Sequence, residues 1–356
     1  MSDPSRSTHG VLSLKSLRAS AAPLAKTALM RFGGYTAIRR VAPSRGVAIL
    51  RYHAVCGPEG HRYVDPGISV TPAIFEQHVR YLTSEYPVLP LEDAVRALSQ
   101  GQSLPPNAVA ITFDDGYADN LGAARTLAKH GATATFYLTA GCLADGQPFW
   151  PSELRYLVAA IPAGRVAMHG GALKVEVDLT SDTARKAAVN QLTKVFKRHP
   201  IPVRESLREQ LRHLAGHPVM PRVMLTWDEV REMKAMGMTI GAHTVTHPNL
   251  PNAGPADAWL EISGSKARLE AEVGAPVTMF SYPNGGAERY MTDDIARMVR
   301  EAGFTAATTS WNGFARRQSD VFALERVHVA ERLEDLVFAL EVERFAFKPA
   351  PRAPQK

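Results

Sequence analysis

A chain of 356 residues with 45% apolar side chains can bury a sizeable core, and nothing in it repeats at a solenoid period. Lys, Arg or Pro interrupts every apolar run before it is long enough to span a bilayer as a helix, and two cysteines, Cys56 and Cys142, make neither a disulfide framework nor a CxxC metal spacing. The net charge of +6 belongs to an arm: residues 1–45 hold eight Lys or Arg against the single Asp3, so the rest of the chain sums to −1, which argues against an extended nucleic-acid surface.

That basic arm, residues 1–45, sets Leu12, Leu14, Leu17, Leu24, Leu29 and Phe32 among Lys15, Arg18, Lys26 and Arg31. The pattern fits amphipathic helices broken at Pro23, suited either to peripheral contact with an anionic membrane or to packing on the body. No secretory signal is evident, so the expected location is cytoplasmic, with membrane association through the arm; a basic, acid-poor leader also fits a transit sequence. The body, residues 46–345, opens with a buried strand from Val47 to His53. A helix follows from the cap Thr71 and Pro72 to Leu82, then a strand near Val88, a helix over 91–98 and a strand over 108–113. Next come a helix over 118–130 and a strand over 133–138. Residues 142–225 interrupt this rhythm with three helix-like stretches, 152–161, 182–198 and 203–214, and read as an insertion. Beyond it the cap Thr226 starts a helix at Trp227, followed by a strand over 238–242, a helix over 256–272 and strands over 277–281 and 304–308. A last apolar segment spans 323–329, and residues 346–356 form a Pro-rich tail. Strands alternating with helices imply a parallel sheet and an α/β fold. Motifs collecting at the carboxyl ends of several strands favour a barrel.

The most informative stretch is Thr112-Phe113-Asp114-Asp115-Gly116-Tyr117, two carboxylates at the end of an apolar strand. Side chains alternate along a strand, so the two acids would point apart and hold different roles, one binding a cation and one handling protons. Asp-Asp-Gly alone is equally a way to leave a strand by a turn. Downstream, His243-Thr244-Val245-Thr246-His247 follows another short apolar run. In a helical turn that spacing places both imidazoles on one face, and one carboxylate would complete a set with coordination positions left open. Histidines four apart also serve as capping or core residues. The pattern is not that of a zincin, because Thr244 stands where a Glu is required.

Taken together, the two motifs resemble those of the NodB-type polysaccharide deacetylases of carbohydrate esterase family 4, a likeness spanning roughly Val47 to Val329. The resemblance implies a distorted, incomplete (β/α) barrel with a helical insertion. It also implies Asp115, His243 and His247 as ligands of a divalent metal, and Asp114 as catalytic base. Zinc suits such mixed ligands, and cobalt, nickel or iron are accommodated too. A metal would bring the pKa of water from about 15.7 toward about 7 and polarise the acetamide carbonyl.

The family's Arg-x-Pro-Tyr-Gly motif aligns with Ser281-Tyr282-Pro283-Asn284-Gly285, which lacks both the Arg and the Tyr. By resemblance the backbone N–H at Asn284 would serve the oxyanion, with Tyr282 beside it, and Arg326 would replace the absent arginine next to Asp114. The family's Leu-x-His would fall on Leu324-Glu325-Arg326 or, on the same strand face two residues later, on His328, the expected general acid. Trp311 would wall the acetyl pocket or fill core. His53 would lie at the same rim as a substrate contact or a cap, and Trp150, in the entry to the insertion, would stack on a sugar or anchor the inserted helices. The expected activity is removal of acetyl groups from an N-acetylated polysaccharide, oligosaccharide or lipid-linked glycan. Hydrolysis of another non-peptide amide, or an inactive glycan-binding or assembly role, are the alternatives. The natural glycan and the oligomeric state stay open.

Overall fold

Seven parallel strands close into a barrel in the computed structural model, which describes residues 14–143, 146–285 and 289–347. Leu12, the side chains of Leu14 and Leu17, and the tail from residue 348 lie outside what is described. The strands are β1 (Val47–Tyr52), β2 (Ala108–Phe113), β3 (Thr135–Leu138), β4 (Thr239–Ala242), β5 (Met279–Ser281), β6 (Ala306–Asn312) and β7 (Leu324–His328). Each pairs with its successor in the chain, and β7 returns to β1 with Leu50 opposite Val327. The barrel is incomplete relative to eight strands, and the β6–β7 connection carries no helix. Instead that segment turns back so that Ala315 pairs antiparallel with Val47.

Strands covered on both faces have little need of polar alternation, which explains apolar runs such as Ala108–Ile111. Alternation still sorts the side chains. Val47, Ile49, Ala108, Ala110, Tyr137, Met279, Ala306 and Leu324 fill the barrel. Ala48, Leu50, Val109, Ile111, Phe136 and Phe280 face the helices. Carried upward, the same parity aims Arg51, Thr112 and Arg326 into the lumen at the carboxyl rim. The helices start where caps were expected: the Thr71 hydroxyl accepts from the Ile74 N–H, and Thr226 with Glu229 forms a reciprocal capping box.

Between β3 and β4 the insertion contains the helices Trp150–Ala160, Asp182–Arg198 and Ile201–Leu214. It also contains a β-hairpin, Arg165–Gly170 with Leu173–Asp178, which the expectation of three helices missed. Val166, Val175 and Val177 alternate there with Arg165, Lys174 and Glu176, and Gly171 at φ 65° makes the tight turn. These elements share a separate apolar core, across which Glu153 accepts from Arg208 and Arg212 at 2.7 Å each.

The arm forms helices Leu14–Arg31 and Gly34–Val41, and their break lies at Gly33, φ 72°, rather than at Pro23, which sits inside the first helix. The arm packs on the final helix, Leu333–Glu341, with Lys26 on Asp335 at 2.9 Å and Arg39 on Glu85 and Glu341. Among the described residues no helix is long and apolar enough to cross a membrane.

Within the outer core His78 is fully buried beside the Tyr52 hydroxyl at 3.2 Å, and burial pushes its pKa down to about 4. The folded state therefore holds it neutral while the unfolded chain protonates near its ordinary value. Its contribution is complete above about pH 6.5 and is lost as pH falls from there toward 4, a loss on the order of 3 kcal/mol. Urea titrations across that window are expected to show a shallower pH dependence for His78→Gln than for the parent; an unchanged slope would locate the sensitivity elsewhere.

Candidate metal centre and catalytic rim

Asp114 continues the ladder of β2, its N–H donating to the Tyr52 carbonyl at 3.0 Å, and so keeps the inward parity of Thr112. Asp115 leaves the ladder with φ 78°, a left-handed conformation that costs a non-glycine residue about 1–2 kcal/mol. The two acids thus diverge, as expected, but a backbone turn rather than strand alternation separates them. Both are buried.

Arg326 grips Asp114 with a two-pronged fork, Nη1 to Oδ1 at 2.7 Å and Nη2 to Oδ2 at 2.6 Å. Its Nε donates to the Thr309 carbonyl at 2.7 Å, and Nη1 also reaches the Thr112 hydroxyl at 3.2 Å. Burial alone would raise the pKa of Asp114. The guanidinium charge overrides it and holds the carboxylate well below its usual range. The arginine absent from the Ser281–Gly285 segment thus has a geometric counterpart on β7.

His243 follows β4 directly. Its Nδ1–H donates to the Ser281 carbonyl at 2.7 Å, which leaves Nε2 facing Asp115 Oδ1 at 3.5 Å. His247 Nε2 stands 3.4 Å from the same oxygen. One donor atom from each of the three residues lies within 4.8 Å of the others, and all three residues are buried. Two imidazole nitrogens and a carboxylate converging this closely fit a divalent ion, and the backbone acceptor behind His243 fixes its tautomer for that purpose. The triad can hold such a metal.

The expected helical turn between the histidines is absent. Thr244 and His247 both take positive φ, 67° and 58°, and the loop is shaped by side chains. The Thr244 hydroxyl accepts from the His247 N–H at 3.0 Å, and the Glu261 carboxylate accepts from the N–H groups of Val245 and Thr246 at 2.8 and 2.7 Å. Two groups from the insertion complete the clamp: Arg204 donates to the Thr246 hydroxyl at 2.9 Å, and Trp150 Nε1 donates to the His247 carbonyl at 2.9 Å. Trp150 is buried against Phe196, so it anchors the insertion and offers no face to a sugar. Glu261 and Arg204 carry no local motif, and their importance appears only once the chain is folded.

His53 belongs to the rim, with Nε2 3.8 Å from Asp114 Oδ2 and a pKa that burial pushes down to about 4 against the pull of both aspartates. His328 is exposed, two residues beyond Arg326, with its N–H donating to Asn312 Oδ1 at 3.3 Å. Asn284 takes φ 75°, and its side chain donates to the Pro248 carbonyl at 3.0 Å. Tyr282 is corrected: inward parity falls on Ser281, so Tyr282 points outward into the helical layer, where its hydroxyl donates to the Phe322 carbonyl at 2.9 Å. Trp311 is half-buried against Tyr290 and the outer core. Arg51 was not anticipated. It points into the lumen, its Nε is buried without a hydrogen-bond partner among the described residues, and burial followed by the nearby Arg326 charge lowers its pKa to about 10.

A model of the family described as polysaccharide deacetylase matches residues 101–307, more than half of the chain. The chain belongs to the polysaccharide deacetylase family. Its members hydrolyse carbon–nitrogen bonds other than peptide bonds, and this chain is such a hydrolase; the family implies an N-acetylated carbohydrate as substrate. YxkH of Bacillus subtilis, whose name carries the same family, is 23% identical over 297 residues, 83% of this chain and 75% of that protein. Among solved structures, the Streptococcus pyogenes deacetylase PplD in complex with acetate superposes with a TM-score of 0.56 at 22% identity, covering 84% of this chain and all of that one. IcaB from Ammonifex degensii gives 0.54 at 17%, covering 84% and 97%. These superpositions establish the shared fold of this deacetylase.

Arg326→Met leaves Asp114 as an uncompensated buried charge and is expected to destabilise the fold by about 3–5 kcal/mol in urea denaturation. Arg326→Lys, which keeps the charge but loses the fork, should lie between that variant and the parent. A Met variant as stable as the parent would remove the fork from any account of this rim.

Proposed function

We propose that this protein is a metal-dependent N-deacetylase that releases acetate from acetamido sugars in a polysaccharide, oligosaccharide or lipid-linked glycan. The observation that carries the reading is the division of labour between adjacent carboxylates: Asp115 turned to His243 and His247, Asp114 turned to Arg326. Asp115, His243 and His247 would hold the ion, with zinc the best match to two imidazoles and a carboxylate. When bound, a divalent ion there supplies Lewis-acid polarisation and a readily deprotonated water.

The chain's own groups do the rest. Asp114, kept ionised by Arg326, accepts the proton of the attacking water, a role worth about 10²- to 10⁴-fold. His53 packs beside Asp114 and orients it. The backbone N–H at Asn284, held by the left-handed turn and the bond to Pro248, is assigned to the developing oxyanion. His328, on the inward parity of β7 and open to solvent, is assigned to delivering a proton to the leaving amine.

Metal analysis and acetate release from chitooligosaccharides test the reading directly. Asp114→Asn is expected to retain the metal and lose at least about 100-fold in turnover, whereas Asp115→Asn should lose the metal as well. Bound metal with no acetate from any acetylated sugar would overturn the deacetylase reading, and metal loss in Asp114→Asn would mean the two aspartates are exchanged.

The role of His328 has its own check. If it protonates the leaving amine, His328→Ala should be strongly impaired on an acetamido sugar and far less so on an acetanilide bearing an electron-withdrawing ring, whose amine leaves without help. Equal impairment on both substrates would exclude that role.

A further inference from the structure

At the barrel end opposite the catalytic rim, a cavity of about 520 Å³ opens between the segment leading into β1, the turn after helix Leu91–Ser99 and the β6–β7 connection. Arg45, Arg316, Arg317 and Arg344 line it, and none of its lining residues is acidic. Arg344 is held by Glu341 and by carbonyl and amide oxygens of Ala42 and Asn107. The other three are exposed and make no ion pair among the described residues.

The arm and the end of the last helix surround this cavity with exposed large apolar side chains, each next to an arginine. Val41 follows Arg40 and is 85% exposed, and Phe345 follows Arg344 and is 66% exposed. Phe345 lines the cavity itself, as does Ala42, the neighbour of Val41. Lys26 and Arg39 are engaged by carboxylates of the body, whereas Arg31 and Arg40 are exposed and unpaired among the described residues.

Cations alone would fit a nucleic acid or an acidic protein. Unpaired arginines interleaved with projecting apolar side chains match a bilayer interface, where the apolar groups enter the acyl boundary and the guanidinium groups meet headgroup phosphates. We propose that this face docks the protein on an anionic lipid bilayer, with Arg45, Arg316 and Arg317 against the phosphates and Val41 and Phe345 inserted. The docking does not depend on the deacetylase reading. Given that reading, one consequence follows: six-residue strands span about 20 Å, so the catalytic rim opens away from the membrane at roughly that height. It would then act on sugars extended from the surface rather than on one in the headgroup plane.

Sedimentation of the full chain with vesicles tests the proposal without any catalytic readout. Binding is expected to phosphatidylcholine vesicles containing phosphatidylglycerol and not to phosphatidylcholine alone. It should be abolished near 1 M salt, where screening falls to about 3 Å. Combined Arg45→Gln, Arg316→Gln and Arg317→Gln should weaken partitioning about 100-fold, at roughly fivefold per charge. Val41→Ser with Phe345→Ser should weaken it at least about tenfold without altering the salt dependence. All these positions are exposed, so thermal melts should match the parent. Absence of vesicle binding, equal binding to neutral vesicles, or parental binding by both variants would overturn the proposal. Retention on duplex DNA without vesicle binding would overturn it in favour of a nucleic acid.

Discussion

Asp114 must remain charged at the end of an apolar barrel, and the rim is organised around that requirement. A buried carboxylate without a partner takes up a proton, which would disqualify it as a base. Its partner comes from the far end of the chain: Arg326 lies on β7, Asp114 just past β2, and only β1 stands between them once the barrel closes. The lumen accommodates so long a side chain because its neighbours are small. Ala108, Ala110 and Ala306 leave volume, Thr112 and the Thr309 carbonyl accept its spare donors, and Tyr137 lies beneath it. Barrel closure and ionisation of Asp114 are therefore one structural fact.

A second feature of the rim is backbone strain. Asp115, Thr244, His247 and Asn284 are all non-glycine residues at positive φ, clustered where the donor atoms converge. Such conformations persist where surrounding bonds over-determine them. Here those bonds come from Glu261, from the Thr244 hydroxyl and from two residues of the insertion, Arg204 and Trp150. The insertion, with a core of its own, is thus mechanically joined to the loop that carries His247. A change deep in that inserted core reaches the candidate metal site through two hydrogen bonds.

Much of this was legible in the chain. Helix caps at Thr71 and Thr226, apolar runs ending in polar residues, and the spacing between elements marked out the strand and helix order, because these are local preferences of a few residues. Departures came where local pattern was silent or misled. The hairpin after Ile161 had its alternation and its Gly-Gly turn in plain view, yet the surrounding helical periodicity concealed it. Tyr282 was misplaced by a single position, and in a strand one position is enough to exchange the lumen for the helical layer. Trp150 was open to two uses, a sugar platform or an anchor of the inserted helices, because a sequence cannot say which side of an indole is covered; its burial against Phe196 decides for the anchor.

What the sequence determined by itself was the inventory: two adjacent aspartates, two histidines four apart, an arginine on the last strand and an arm whose charge of +7 exceeds the net +6 of the chain. These depend on identity and short spacing. The tertiary structure decided who meets whom. Asp115 faces the histidines because its backbone turns left-handed. Asp114 finds Arg326 because the barrel closes, and His247 is held by an insertion whose anchors lie 43 and 97 residues away along the chain. Unpaired arginines and projecting apolar groups from three distant segments share one end of the barrel. Contacts between residues so far apart arise from chain closure and packing, which no local pattern records.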